Sequence, residues 1–547
     1  MFFRRPNDWS MLDRIAAATL LVAAVLELVA ILALPVEGYD AQYHLSWISS
    51  WHTLWQTGIY YPHWLLAPYH FFGAPTFYFY PPFSYVVSSI IYLLFPSSDP
   101  SFIAKIFLVV TLAASGVTMW LYLRSRGSGI ASRCMGTALY LFAPYRFLDL
   151  NTRASLSEHF AFVFLPLIFW SADRLLDRRK GFGSVVAMIL LLSLLAVTSL
   201  PSFAAIMLAL TVYAVCAPKP LIFQNVRWFG FIGISAILLS LFYLIMPVLY
   251  VQDLQLARLW DPAYIGPGSP IATLLSGENL RIGIYTTVTF LGGCVLLYYW
   301  WKIRGNSAAV ASRDFWLLLA IIVLQLPYLP APLFHYIPPF STVQLPYRLS
   351  MVLMIMMARA WTERLDGRGN GWNTSGVVAG YSIVTIILVG GQLGGVQVHK
   401  HTPQQSGIAH EFFATRWMPH SENIDSPMRI GFSSDTQMIL LPNNPEVALI
   451  STNHCAYSDT VVYESQKPAI LTFHRAYWPQ RHVRIDGHEW DVTPDSVGRV
   501  NVQVPAGRHT LTIQLDQSWG EKVGIWISLG TLTILLILGF IRLRSSQ

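Results

Sequence analysis

Asp40, His44, Trp47 and Trp51 follow one another at four, three and four residues in the stretch PVEGYDAQYHLSWISSWH, residues 35–52. A helix resuming near Tyr39 puts Asp40 and His44 on one face, a turn apart. A carboxylate there can take a proton as a general base, and an imidazole can orient it or relay the proton. Asp40 also suits a helix N-cap, which leaves its chemistry open. A second stretch, APYRFLDLNTRASLSEHF, crowds Arg146, Asp149, Arg153, Glu158 and His159 beside an apolar run. Ionisable groups at such a boundary are costly unless paired or functional. They could form internal salt bridges, Asp149 with Arg153 and Arg153 with Glu158. Alternatively, the planar Arg153 fork grips a phosphate, and Glu158 orients it or touches a sugar hydroxyl. A third stretch, PPFSTVQLPYRLSM, carries Gln344, Tyr347 and Arg348. Arg348 either snorkels or makes a second phosphate contact. Glu278 and Arg281 are weaker candidates.

No cofactor is firmly implied. His44, His63, His70 and Asp40 are ligand types for a divalent cation, but they form no compact motif. The sequence holds no P-loop, dinucleotide fingerprint or nucleophile elbow. Cys134, Cys216, Cys294 and Cys455 show neither metal-like spacing nor a disulfide framework.

These residues must be held by elements that sit in lipid. Hydrophobic residues make up 54% of the 547-residue chain and charged residues 12%, about half the charged share of a soluble domain. The apolar runs have the ~20-residue length that crosses a bilayer, which reads as an all-α polytopic membrane protein. Spans are expected at 15–34, 102–123, 134–149, 160–174, 183–199, 202–217, 229–250, 284–301, 314–329, 347–361, 374–394 and 523–541. Arg4, Arg5 and Arg14 precede the first, which reads as a retained span rather than a cleaved signal. The net charge of +7 is scattered over short loops, so it points to no nucleic-acid partner.

The run Phe83 to Phe95 is too short to be clear. If it does not cross, the basic loops at Arg124 to Arg133, Arg174 to Lys180, Lys219 to Arg227, Lys302 to Arg313, Arg364 to Arg368 and Arg542 to Arg544 all fall on one side, as cytoplasmic loops do. The run is then re-entrant or interfacial. Twelve spans follow, with both termini cytoplasmic and every histidine outside. Trp47, Trp51 and Trp55 would anchor a helix lying in the interface plane. The organisation expected is a membrane domain over 1–394 with a first outer loop at 35–101, a β-rich extracytoplasmic unit over 395–522, and a last span and tail over 523–547. Within the β-rich unit, VRIDGHEWDV reads as a hairpin about Asp486-Gly487. RVNVQVPAGRHTLTIQL reads as a second hairpin about PAG. That unit could bind an acceptor or simply cover the site.

The order EGYDAQYH, YPHW, YFYPPFSYVV, then YRFLDLNTRASLSEHFAFVFLPL, then FSTVQLPYRL, then AYWPQRHVRIDGHEWDV resembles the multi-spanning GT-C glycosyltransferases. Within them it is most similar to the bacterial YfhO-like proteins and those labelled 6-pyruvoyl-tetrahydropterin-synthase-related, a label with no bearing on pterin chemistry here. The resemblance covers most of the chain. It implies a polyprenyl-phosphate-sugar donor, action on the extracytoplasmic face, and a catalytic acid in the first outer loop, which falls on Asp40. The chain departs from the pattern in two places. Glu37 and Asp40 are not adjacent, and Ser199 in TSLPSF stands where a histidine is expected. The resulting expectation is an inverting transfer onto a surface glycan, lipid or protein. Asp40 is the base, Glu158 is catalytic, and Tyr43, His44, Asp149, Arg153, Gln344, Tyr347 and Arg348 bind substrate. A flippase for a lipid-linked saccharide and a non-catalytic scaffold remain the alternatives. The outer segments hold no Asn-x-Ser/Thr site, which fits a bacterial inner membrane.

Overall fold

The computed structural model describes residues 10–38, 40–66, 68, 72–176, 181–216, 219–254, 270–276, 280–310, 313–326, 346–363, 365–366, 440–442 and 447–545. The expected span 374–394 lies outside them. The chain opens with α1 (Met11–Ala33), where Ser10 and Asp13 close a reciprocal cap. The segment 35–101 holds α2 (Ala41–Gln56), the single turn α3 (Thr76–Phe79) and α4 (Phe83–Leu94). Then come α5 (Pro100–Ser125), α6 (Ile130–Leu141), α7 (Pro144–Leu148), a wide π-type turn over Asp149–Arg153, α8 (Leu156–Ala161) and α9 (Leu165–Leu176). The bundle continues through α10 (Phe182–Ala196), α11 (Leu200–Val215), α12 (Lys219–Leu239), α13 (Leu241–Tyr250), α14 (Pro270–Ser276), α15 (Leu280–Val310), α16 (Arg313–Leu324) and α17 (Ser350–Glu363), and the chain ends in α18 (Trp519–Ser545).

Five stretches among the described residues are long and apolar enough to cross a membrane: Met11–Ala33, Pro100–Ser125, Leu156–Leu176, Ile222–Leu239 and Trp519–Arg542. The remaining apolar helices are shorter, because breaks divide the runs. The run 134–149 is not one helix. Ala143 is extended, and Pro144 starts α7 afresh because its ring cannot continue α6. The run 229–250 starts earlier than expected, so Arg227 lies inside α12 rather than in a loop. It also breaks at Ser240, whose hydroxyl donates to the Ser193 carbonyl of α10 at 3.3 Å.

At 1.5 Å per residue the twelve residues of α4 reach about 18 Å, short of the ~30 Å hydrocarbon thickness. Its Ser84, Tyr85, Ser88, Ile91 and Tyr92 face inward, while Ile90, Leu93 and Leu94 are exposed. The tryptophans of α2 correct the interfacial reading. Trp47 and Trp51 are buried at 2% and 0% exposure. They pack on Phe77, Tyr80 and Tyr85 at ring separations of 4.6 to 6.1 Å. The aromatic loop 72–92 folds over α2, and ring-on-ring packing takes the place of the lipid boundary.

The C-terminal unit is two antiparallel sheets. One runs β1 (Leu440–Pro442), β4 (Ala469–Ala476), β8 (Arg499–Val504), β7 (Thr493–Pro494), and the other β2 (Val447–Cys455), β3 (Ser458–Ser465), β9 (Gly507–Leu515), β5 (Arg481–Ile485), β6 (His488–Trp490). The Asp486-Gly487 hairpin forms as expected, with positive φ at both residues and Ile485 opposite His488. The PAG hairpin does not form. β8 pairs with β4 and β9 pairs with β3 and β5, so PAG carries the chain from one sheet to the other. Both strands alternate because their apolar faces meet across the sandwich. Val500, Val502 and Val504 share one core with Leu511 and Ile513.

This unit is fastened to the segment 35–101. The Tyr457 hydroxyl donates to the Trp64 carbonyl at 2.9 Å and accepts from the Trp64 N–H at 3.2 Å. The Ala476 N–H reaches the Phe72 carbonyl at 2.9 Å, and buried Trp478 packs on Trp64 and Tyr78. Elsewhere an ionic network joins five helices. Arg126 pairs with Asp173 at 2.5 Å and with Glu363, and Arg359 reaches Asp314 at 3.0 Å, Asp173 at 3.5 Å and Glu363 at 3.6 Å. Tyr122 and Tyr213 donate to Asp173 and Asp314.

Candidate active site

The Asp40 loop lies directly on the π-type turn. Asp40 N–H donates to the Arg153 carbonyl at 2.8 Å. Gly38, at φ +154°, makes that approach feasible, because a Cβ there would sit 2.7 Å from the Arg153 carbonyl carbon. The π-type turn ends at Ala154, held in the left-handed region at φ 55°. Asp40 occupies the N-cap position of α2, but its carboxylate makes no cap bond. It points to Arg153 Nη2 at 3.6 Å.

Arg153 is the hub. Its Nη1 donates to Asp149 Oδ1 at 3.1 Å and to Glu158 Oε2 at 2.7 Å. Arg348, just before α17, sets Nε 3.7 Å from the same Glu158 oxygen. The Tyr145 hydroxyl donates to the other Glu158 oxygen, and its ring lies 6.3 Å from Tyr347. Asp149 and Glu158 are buried, whereas the Asp40 side chain keeps 29% exposure. Asp40 is therefore the carboxylate of the three with an open edge. Three acids thus engage Arg153, with Asp40 the most distant.

His44 sits one turn into α2, bonded through Nδ1 to Tyr85 Oη at 2.7 Å and fully buried. Burial pushes its pKa down to about 4, against the opposing pull of nearby Asp40. It is a neutral packing and orienting group. Tyr43 is half-buried, 6.0 Å from the Trp47 ring. His63 lies apart, 3.3 Å from Glu521 of α18. Gln344, His70 and Glu278 lie outside the described residues, as does the Arg281 side chain. Among the described residues no three His, Cys, Asp or Glu side chains are grouped to hold a metal ion. Asp40, Asp149 and Glu158 converge on a guanidinium instead.

The structure thus joins three stretches that the sequence separates by over a hundred residues: Asp40 with His44, Asp149 with Arg153 and Glu158, and Tyr347 with Arg348. It adds Tyr145 and Tyr80, which nothing in the spacing marks. Tyr80 caps the C-terminal end of α3 with its ring 4.7 Å from Trp47 and 5.8 Å from His44. It also adds Glu27, buried as Arg146 is. Arg146 meets His159 at 3.2 Å and the Phe162 ring at 4.9 Å.

No family model and no curated protein matches the chain. Among solved structures it is similar to the arabinofuranosyltransferase AftD from Mycobacteria, at 13% identity over 70% of this chain and 27% of that one, TM-score 0.41. It is also similar to the Archaeoglobus fulgidus oligosaccharyltransferase in complex with zinc and sulfate, at 14% identity over 68% of this chain and 52% of that one, TM-score 0.39. The chain thus spans 27% and 52% of the lengths of these two structures. Likenesses this loose assign neither fold nor activity.

Proposed function

We propose that this protein is a membrane glycosyltransferase that moves a sugar from a polyprenyl-phosphate-linked donor to a hydroxyl of a surface glycan, lipid or protein, with inversion. One observation supports this above others. An open carboxylate, two arginines and a buried acid meet beside an aromatic loop, although they come from three distant segments. Asp40 takes the proton of the acceptor hydroxyl as its oxygen attacks the anomeric carbon. The bond from that carbon to the phosphate oxygen breaks, and polyprenyl phosphate leaves. A positioned base of this kind contributes about 10²–10⁴ in rate. Arg348, assisted by Arg153, offsets the charge developing on the leaving phosphate. Glu158 sets both arginines, Tyr43, Tyr347 and Gln344 complete the substrate surface, and buried Asp149 and His44 support it from behind. The site faces the extracytoplasmic side of a bacterial inner membrane, in a twelve-span chain with both termini cytoplasmic and α4 re-entrant beside the lipid tail.

A flippase is the second reading. It is favoured by the ionic clusters at both ends of the 156–176 and 346–363 segments, Glu158 and Arg348 at one end, Asp173 and Arg359 at the other. Mass spectrometry of surface polymers and polyprenyl-linked sugars, with and without the gene, tests whether the protein lies on this route, and a liposome assay separates the two. Transfer predicts a missing sugar on the polymer and accumulated charged donor. Liposomes in which purified protein moves donor without consuming it would replace the first reading with the second.

A further inference from the structure

The aromatic packing of the segment 35–101 has one open corner. Trp47, Trp51, Phe77, Tyr78 and Tyr85 are closed off at 2% exposure or less, and His44 is buried with them. Tyr80 belongs to the same packing, with its ring 4.7 Å from Trp47, 5.8 Å from His44 and 6.0 Å from Tyr85. Yet Tyr80 stays half-buried. Its backbone is fixed, because its N–H donates to the Thr76 carbonyl at 2.8 Å. The phenol belongs to the charged site as well. Its hydroxyl shares hydrogen bonds with Tyr85 and with Ser157, the residue before Glu158, and feels the charges of Asp40, Arg153 and Arg348. Burial, with Asp40 nearby, holds that phenol above its ordinary pKa, so it stays a neutral donor and acceptor. Tyr43, also half-buried, continues the aromatic surface on the far side of Trp47.

A half-buried tyrosine and an open carboxylate near enough to act on its phenol match the two faces of a sugar. The apolar C–H face rests on the ring, and a hydroxyl meets the phenol. We propose that Tyr80 is the residue that recognises the sugar ring carried by the lipid-phosphate donor, as distinct from its phosphate or its tail. This rests on the glycosyl-transfer reading and deepens it. It also explains why the neighbouring rings are packed so rigidly. They hold Tyr80 in place, since a sugar-reading ring must not swing away when the donor arrives.

The test uses the full chain in lipid nanodiscs. The probes are polyprenyl-phosphate sugars extracted from the host membrane and the same lipids after mild acid has removed the sugar. Retention is read by mass spectrometry for wild type, Tyr80→Phe, Tyr80→Ala and Tyr85→Phe. Tyr80→Ala is expected to lose retention of the sugar-bearing lipid at least tenfold while keeping that of the sugar-free lipid. Tyr80→Phe, which keeps the ring, is expected to lose threefold to tenfold, and Tyr85→Phe to stay within twofold. Equal retention of both lipids by Tyr80→Ala and wild type overturns the proposal. If Asp40→Asn still abolishes transfer in that case, the failure belongs to Tyr80 alone. A wild type that never prefers the sugar-bearing lipid overturns the donor reading and this one with it.

Discussion

Removing Arg153 takes a partner from three acids at once, because Asp40, Asp149 and Glu158 all face its guanidinium, and among the described residues only Glu158 keeps others, Arg348 and Tyr145. Deleting one partner of a buried ionic set leaves uncompensated charge and costs about 3–5 kcal/mol. Arg153→Met should therefore unfold many degrees earlier in a detergent melt, and Arg153→Lys should rescue little, since a point charge cannot serve three carboxylates. His44 makes a pH prediction with a definite sign. Its folded pKa of about 4 lies below the ordinary 6.5, so the unfolded chain binds the proton first as pH falls. Its stabilising contribution is complete above pH 6.5 and is lost progressively down to about pH 4, roughly 3 kcal/mol in all. The groups facing it are Tyr85, Trp47, Tyr80, Asp40 and Arg153, and none of these supplies a buried anion touching the ring. Melting points of His44→Gln should vary less across that window than those of wild type. At this scale the sequence was informative about charge. Asp40, Arg153, Glu158 and Arg348 stand out because ionisable residues are rare at the ends of apolar runs. Tyr80 and Tyr145 do not, because a chain with 26 tyrosines gives no reason to choose two.

Among the elements, the contact between the Asp40 loop and the π-type turn depends on a missing side chain. A Cβ on Gly38 would meet Arg153 and Ala154 backbone at 2.7–2.8 Å, and backbone cannot step aside as a side-chain end can. Gly38→Ala should cost about 1–3 kcal/mol, release the Asp40 amide from the Arg153 carbonyl and lower activity with it. Hydrogen exchange at Asp40 checks the release directly. Periodicity located α2, α4 and the late strands, since those patterns come from one-sided burial. It misjudged partners. The tryptophan spacing of α2 is the same whether lipid or a folded aromatic loop covers it, and β8 and β9 alternate alike whether they pair or face each other across a sandwich. Breaks at Ala143 and Ser240 were hidden inside apolar runs, where hydropathy stays high through a kink.

For the whole molecule, two long-range attachments set the shape. Trp478 and Tyr457 fasten the β-sandwich to the segment 64–78 that follows α2. Trp478→Ala should cost about 3–5 kcal/mol and expose residues 447–515 to protease while the helices stay protected. Arg359 ties α9, α16 and α17 through Asp173, Asp314 and Glu363, and Arg359→Ala should destabilise the bundle by a similar amount without touching Asp40. Trp64 with Trp478 and Tyr457, and Asp173 with Arg359, are each more than a hundred positions apart, which a single sequence does not reveal. Asp40 is the proposed base. Cells lacking the gene and supplied with Asp40→Asn, at normal membrane levels, should show surface polymers without the transferred sugar and accumulated polyprenyl-linked donor, matching the empty strain. A wild-type polymer profile from that variant would contradict the claim.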